Sequence, residues 1–158
     1  MGDDPSLNDE PAVSDKPSVG DEASAPRWVD RLVVEAVQLD LIREHGGMPG
    51  LRDEHALESA LARPRQRHAY EPASTLPELA ASYAYGLARS HPFHDGNKRI
   101  AFVTMAVFLG LNGLDLDAPE PEVVAAMVAL AAGEIDEAGL AAWVGSRVML
   151  RRTPECDE

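Results

Sequence analysis

The 158-residue chain contains a single cysteine, Cys156, close to its C-terminal end. One thiol excludes an internal disulfide framework and a thiolate metal cluster. Aromatic residues are scarce at 5%, so Ala, Leu and Val must fill the interior, which suits closely packed helices. A basic excess is also lacking: 14 Lys and Arg stand against 27 Asp and Glu, a formal charge of −13. With no surplus cation to displace counterions, a direct nucleic-acid partner is not expected. Long hydrophobic runs are missing too. The longest, Ile100 to Leu111, is interrupted by Thr104 and Gly110; it is too short to cross a membrane and right for a core helix. The acidic, polar first residues lack the apolar centre of a signal peptide. A soluble cytoplasmic protein is the expectation.

What is present divides into three stretches. Residues 1–26 hold seven acids against Lys16, with Ser, Pro and Gly and almost nothing to bury, and are expected to be disordered. Residues 27–152 carry the helical periodicity, and 153–158 form a short tail. Strand patterns are nearly absent and no internal repeat is found, so the expected class is all-α, about six helices around a buried central helix, Gly96–Asn112. A first helix runs from Trp28 to His45 and ends at Gly46-Gly47. Asp53 caps a second, which Pro64 should stop near Arg63. Arg65–Leu76 lacks helical period and reads as an extended or hairpin flap, with Tyr70 its most exposed large residue. Pro77 suits the first turn of a helix to Ser90. Glu120–Ala132, closed by Gly133, and a helix capped by Asp136 and reaching Arg151 complete the set.

The chemistry is concentrated in His91-Pro92-Phe93-His94-Asp95-Gly96-Asn97-Lys98-Arg99, set against the apolar run at 100–111. Helix-initial amides carry the positive end of the helix dipole and favour anions, so a phosphate site is expected. Gly96 permits close backbone approach, and Gly96, Asn97 and Lys98 offer amides as an anion nest. Arg99 supplies a planar fork for phosphate oxygens and Lys98 a mobile charge. Asp95 suits a magnesium ligand and doubles as the helix N-cap. His91 is left free to act as a base near neutral pH.

These residues resemble the Fic signature, and Lys98 resembles its death-on-curing (Doc) branch, the toxins of toxin–antitoxin pairs. Gly46-Gly47-Met48-Pro49-Gly50-Leu51, Ala69-Tyr70-Glu71, Asn112-Gly113 and Ala132-Gly133-Glu134-Ile135 are similar to Doc at similar spacing. The resemblance covers roughly residues 32–145. It implies His91 as general base, Asp95 with Mg²⁺, Gly96 to Arg99 on the phosphates, Arg99 neutralising the transferred group, and a flap bearing Tyr70 that docks the target. It further implies transfer of the γ-phosphate of ATP or another nucleoside triphosphate to a threonine of elongation factor Tu, halting translation, and a cognate antitoxin partner. Gly96 stands where the best-known Doc has Ala and is shared with AMP-transferring Fic proteins, so adenylyl transfer is the alternative. Some Fic proteins carry an inhibitory Ser-x-x-x-Glu motif; Ser6 to Glu10 has that spacing, but Pro11 follows where Gly or Asn belongs. A less favoured reading, prompted by His94-Asp95, is an HD-type metal phosphohydrolase drawing on His68 and Asp115.

Overall fold

Local chemistry decides where most helices begin. In the computed structural model, which describes residues 25–151, six helices follow one another: α1 (Arg31–His45), α2 (Glu54–Tyr70), α3 (Leu76–Ser90), α4 (Asn97–Leu111), α5 (Glu120–Ala132) and α6 (Glu137–Arg147). The expectations for residues 1–24 and 152–158, the Ser6–Glu10 spacing among them, lie outside the described residues. Asp53 caps α2 by accepting from the Ala56 amide, and Asp136 caps α6 by accepting from Gly139. Thr75 and Glu78 form a reciprocal capping box at the start of α3, with Pro77 in its first turn. Gly133, in the left-handed region, ends α5. The all-α expectation holds, and no helix among the described residues is long and apolar enough to cross a membrane.

Four local expectations need correction. The first helix starts at Arg31, because residues 25–30 are held extended as a strap: the Val29 amide donates to the Tyr83 hydroxyl, and Arg27 exchanges two bonds with Asn112. Burial pushes the Tyr83 hydroxyl pKa up, and the Val29 amide partly offsets this.

Second, Pro64 does not stop α2. It deprives the Ala60 carbonyl of an amide donor, yet the helix continues to Tyr70 with Pro64 buried. The turns beyond it are fixed by tertiary contacts: Arg67 reaches Glu137 at 3.5 Å, Arg65 lies over the Trp28 ring, and His68 meets the same ring edge-on. Only residues 71–75 remain as a loop, so the expected flap at Arg65–Leu76 does not form.

Third, the last helix ends at Arg147, and the chain turns into a strand, β2 (Val148–Leu150), antiparallel to β1 (Leu114–Leu116). Three-residue strands carry too little alternation to be read locally. Fourth, Gly96, in the left-handed region, is the N-cap of α4 in place of Asp95.

The interior is shared by two helices. α3 packs on α2, α4, α5 and α6, and buries Leu79, Ala80, Ala81, Tyr83, Ala84, Leu87 and Ala88. Its small residues allow close approach: a β carbon on Gly86 would lie 3.1 Å from Ala60 Cα. α4 buries Ile100, Ala101, Met105, Phe108 and Leu109, while Phe102, Val103, Ala106 and Val107 are only half-buried. The central apolar helix therefore keeps one face open, between α1 and α5. That open face borders the loop between α3 and α4.

Candidate active site

The loop between α3 and α4 carries His91 to Gly96, and its shape is fixed mostly by side chains bonding to backbone. Asn97, the first residue of α4, accepts from the Phe93 amide at 3.0 Å and donates to the Phe93 carbonyl at 2.9 Å. Its side chain thus clamps the loop, and its contribution to an anion falls to its main-chain amide. Phe93 is buried in the core, as an aromatic anchor should be.

A second stretch, Gly46 to Asp53, lies along the loop. Leu51 and Phe93 form an antiparallel bridge; the Arg52 and Asp53 amides donate to the Pro92 carbonyl at 2.7 and 3.0 Å, and His94 donates to Gly50 at 3.1 Å. Gln38, 1% exposed on α1, joins both: its amide donates to the carbonyls of Asp95 and Met48 and accepts from Gly50. The sequence signal for this pairing was the glycine- and proline-rich run at 46–50; nothing local marked Gln38.

The first intrahelical bond of α4 runs from Ile100 to Gly96, at 2.8 Å. The amides of Asn97, Lys98 and Arg99 consequently have no partner among the described residues, and they sit at the positive end of the helix. Lys98 and Arg99 are exposed, and neither has a carboxylate within salt-bridge reach among the described residues. A hollow of about 490 Å³ is lined at one end by Gly96 to Arg99 and Glu120. Its walls are apolar, with Leu41 from α1, Phe102 and Val103 from α4, and Val123 and Met127 from α5. A polyanion with an apolar body fits this combination of two cations, helix-initial amides and apolar walls, with Glu120 the one acidic residue among the described lining residues.

Asp95 Oδ2 accepts from the Met48 amide at 2.7 Å, while Oδ1 accepts no bond among the described residues. An exposed, hard, anionic oxygen suits magnesium, which takes one or two carboxylates and completes its octahedron with water and phosphate. The residues present fit that ion.

His91 ends α3 in the left-handed region, φ 49° and ψ 60°, the one non-glycine residue with positive φ among those described. The residue is exposed, and its imidazole has no hydrogen-bond partner among them. Tyr70 is not brought to this place. It ends α2, is 89% exposed, and borders a separate hollow with Arg63, Arg67 and Glu137. The backbone that pairs with the motif loop is Gly50–Asp53 instead. His68 lies in α2 against Trp28, and Asp115 in β1 is 3.9 Å from Arg151. No three His, Cys, Asp or Glu converge among the described residues, so the HD-type ligand set is not assembled.

Comparison with known proteins agrees with this architecture. The model of the Fic/DOC family matches residues 28–109. The chain is 37% identical over 100 residues to the "Protein kinase doc" of Escherichia phage P1, covering 63% of this chain and 79% of that protein. It is 38% identical over 74 residues to "Toxin Doc" of Mycolicibacterium smegmatis, covering 46% of this chain and 57% of that one. Motif, helical frame and sequence similarity converge, and the chain belongs to the Fic/DOC family.

Proposed function

We propose that this protein is a Doc-type toxin that transfers the γ-phosphate of a nucleoside triphosphate to a hydroxyl of a target protein. The observation that carries this reading is the trio of amides at Asn97, Lys98 and Arg99, which have no partner among the described residues, flanked by two cations with no ion-pair partner among them. Phosphoryl transfer depends on positioning and on neutralising charge over the transferring group, and that combination supplies both. Asp95 would hold Mg²⁺ against the phosphates, and Arg99 would neutralise charge on the transferred group. His91 would accept the proton of the attacking hydroxyl, a role worth about 10²–10⁴-fold in rate. The name of the phage relative, a protein kinase, supports phosphate over AMP as the transferred group. Lys98 supports it too, because lysine occupies space that a glycine would leave for the nucleotide's inner phosphates.

The target we propose is a threonine of elongation factor Tu, so that the cellular outcome is arrest of translation. Its direct test is the intact mass of elongation factor Tu after incubation with this protein and magnesium ATP. A gain of one phosphate supports the reading. A gain of one AMP moves the protein to the adenylyltransferase class, with Gly96 making room. No gain removes this target.

A toxin requires restraint, and the open face of α4 is the place we propose for it. Val124 and Val128 are 53% and 49% exposed beside half-buried Phe102 and Val103, leaving an apolar groove that runs into the phosphate loop. A partner's amphipathic helix lying there would cover the groove and block the nucleotide. Expression of this protein alone should then arrest growth, and co-expression of the antitoxin should relieve it. Normal growth with the protein alone would oppose both parts of the reading.

A further inference from the structure

Arg52, in the loop between α1 and α2, directs two of its guanidinium nitrogens at the backbone around His91. Its Nε donates to the His91 carbonyl at 2.9 Å and its Nη2 to the Ser90 carbonyl at 3.2 Å. Its own amide, with that of Asp53, donates to the next carbonyl, Pro92. Three successive carbonyls, centred on His91, are thus held from one point. In a chain with 27 acidic residues, Arg52 has no carboxylate within salt-bridge reach among the described residues. The cation is committed to this backbone.

That commitment coincides with strain. A residue bearing a β carbon is disfavoured in the left-handed region that His91 occupies, and such a conformation persists only where its surroundings over-determine it. Pro92 contributes by disfavouring the α-helical alternative at the residue before it. Arg52 contributes by satisfying the terminal carbonyls of α3, which have no intrahelical donor. The left-handed turn sets the direction of the Cα–Cβ bond, and hence where the imidazole is carried. In a Ser-His-Asp arrangement a carboxylate orients the base through the ring itself. Here the ring has no partner among the described residues, so orientation has to come through the backbone.

We propose that Arg52 is the positioning residue for His91, fixing the base through its main chain in place of a second side chain on the imidazole. This rests on the reading of His91 as general base. Geometric misplacement of a catalytic group by about 1 Å costs on the order of 100-fold in rate. Arg52→Ala is therefore expected to lower kcat by about that factor and to leave magnesium-nucleotide affinity within about twofold, because the clamp on the phosphate loop is Asn97. Arg52→Lys keeps the charge but cannot fork two carbonyls, and should recover only part of kcat.

The test pairs these kinetics with the imidazole ¹H–¹³C cross-peaks of the five histidines, the His91 peak being assigned by its loss in His91→Ala. In Arg52→Ala the His91 peak should shift and broaden while those of His45 and His55 stay in place. An unchanged His91 peak with unchanged kcat would overturn the proposal. So would equal losses of kcat and nucleotide affinity, or collapse of the fold in both Arg52 variants, since each makes Arg52 a support of the domain at large. If the wild-type protein transfers nothing to any target, the phosphotransfer reading falls, and the cross-peaks alone still decide whether Arg52 positions His91.

Discussion

Asp95 Oδ2 accepts a hydrogen bond from the Met48 amide, joining the carboxylate that suits magnesium to a loop 47 residues earlier in the chain. An amide oxygen can accept that same bond but carries no charge. Asp95→Asn is expected to fold with an unchanged melting temperature and to bind magnesium-nucleotide at least about tenfold more weakly, the scale of one lost charged contact. Calorimetric titration of both proteins with magnesium ATP checks this. Equal affinities would show that Asp95 serves only the Met48 contact.

His91 separates stability from activity. Its left-handed backbone costs a residue with a β carbon about 1–2 kcal/mol, which glycine avoids. His91→Gly should melt higher than His91→Ala by roughly 2–4 °C for a domain of this size, if about 1 kcal/mol of that is recovered. Both variants should lose transfer by about 10²–10⁴-fold. Thermal melts and a transfer assay on the two variants suffice, and equal melting temperatures would argue against strain at this position.

Gly86 opposes two known effects. Helix propensity alone favours alanine there by about 1 kcal/mol. The new β carbon, however, would meet Ala60 Cα at 3.1 Å and Ala60 Cβ at 3.2 Å. Overpacking costs about 1–3 kcal/mol, and because the neighbour is backbone it cannot swing away, so the clash wins. Gly86→Ala is expected to destabilise by about 1 kcal/mol in denaturant melts. A stabilised variant would show that α2 and α3 slide apart freely.

On the proposed phosphotransfer reading, Lys98 sets which group is transferred. Lys98→Gly removes bulk and charge from the phosphate loop and should move the mass gained by the target from one phosphate towards one AMP. An unchanged product would mean that the loop backbone, not this side chain, orients the nucleotide.

Glu122 links the start of α5 to the end of α6. The Trp143 indole N–H donates to it at 2.7 Å and Arg147 at 2.5 Å, and these contacts, Trp143 foremost, hold its carboxyl below the ordinary glutamate range. A depressed folded value contributes stability that is present above the unfolded value and lost as pH falls through the folded one. Glu122→Gln keeps an acceptor for Trp143 but does not titrate. The gap in melting temperature between wild type and Glu122→Gln should therefore be open at neutral pH and close under acid conditions, below the ordinary glutamate range. A gap independent of pH would assign the link to shape alone.

Much of this molecule was legible because its signals are local. Caps at Asp53 and Asp136, Pro77 in the first turn of α3, the glycine at 133, and the polar motif abutting an apolar run each declare themselves within a few residues. What escaped depends on distant partners. Pro64 reads as a helix stop until Glu137, 73 residues later, and Trp28 hold the turns beyond it. β1 and β2 exist because their residues pair with each other across more than thirty positions. Gln38 and Arg52 look like ordinary polar residues; their work is to satisfy backbone groups of the motif loop, and no spacing rule links them to it.

The apolar surface left on α1 and α5 has a colloidal consequence. Leu32, Val33, Leu39, Val124 and Val128 are each at least 41% exposed, and apolar surface in water favours contact between copies. Thirteen net negative charges keep those copies apart, and the range of that repulsion shrinks from about 30 Å in 0.01 M salt to about 3 Å at 1 M. The lone protein should therefore stay dispersed in dilute buffer and associate as salt is raised, so that its handling in solution is governed as much by ionic strength as by its fold.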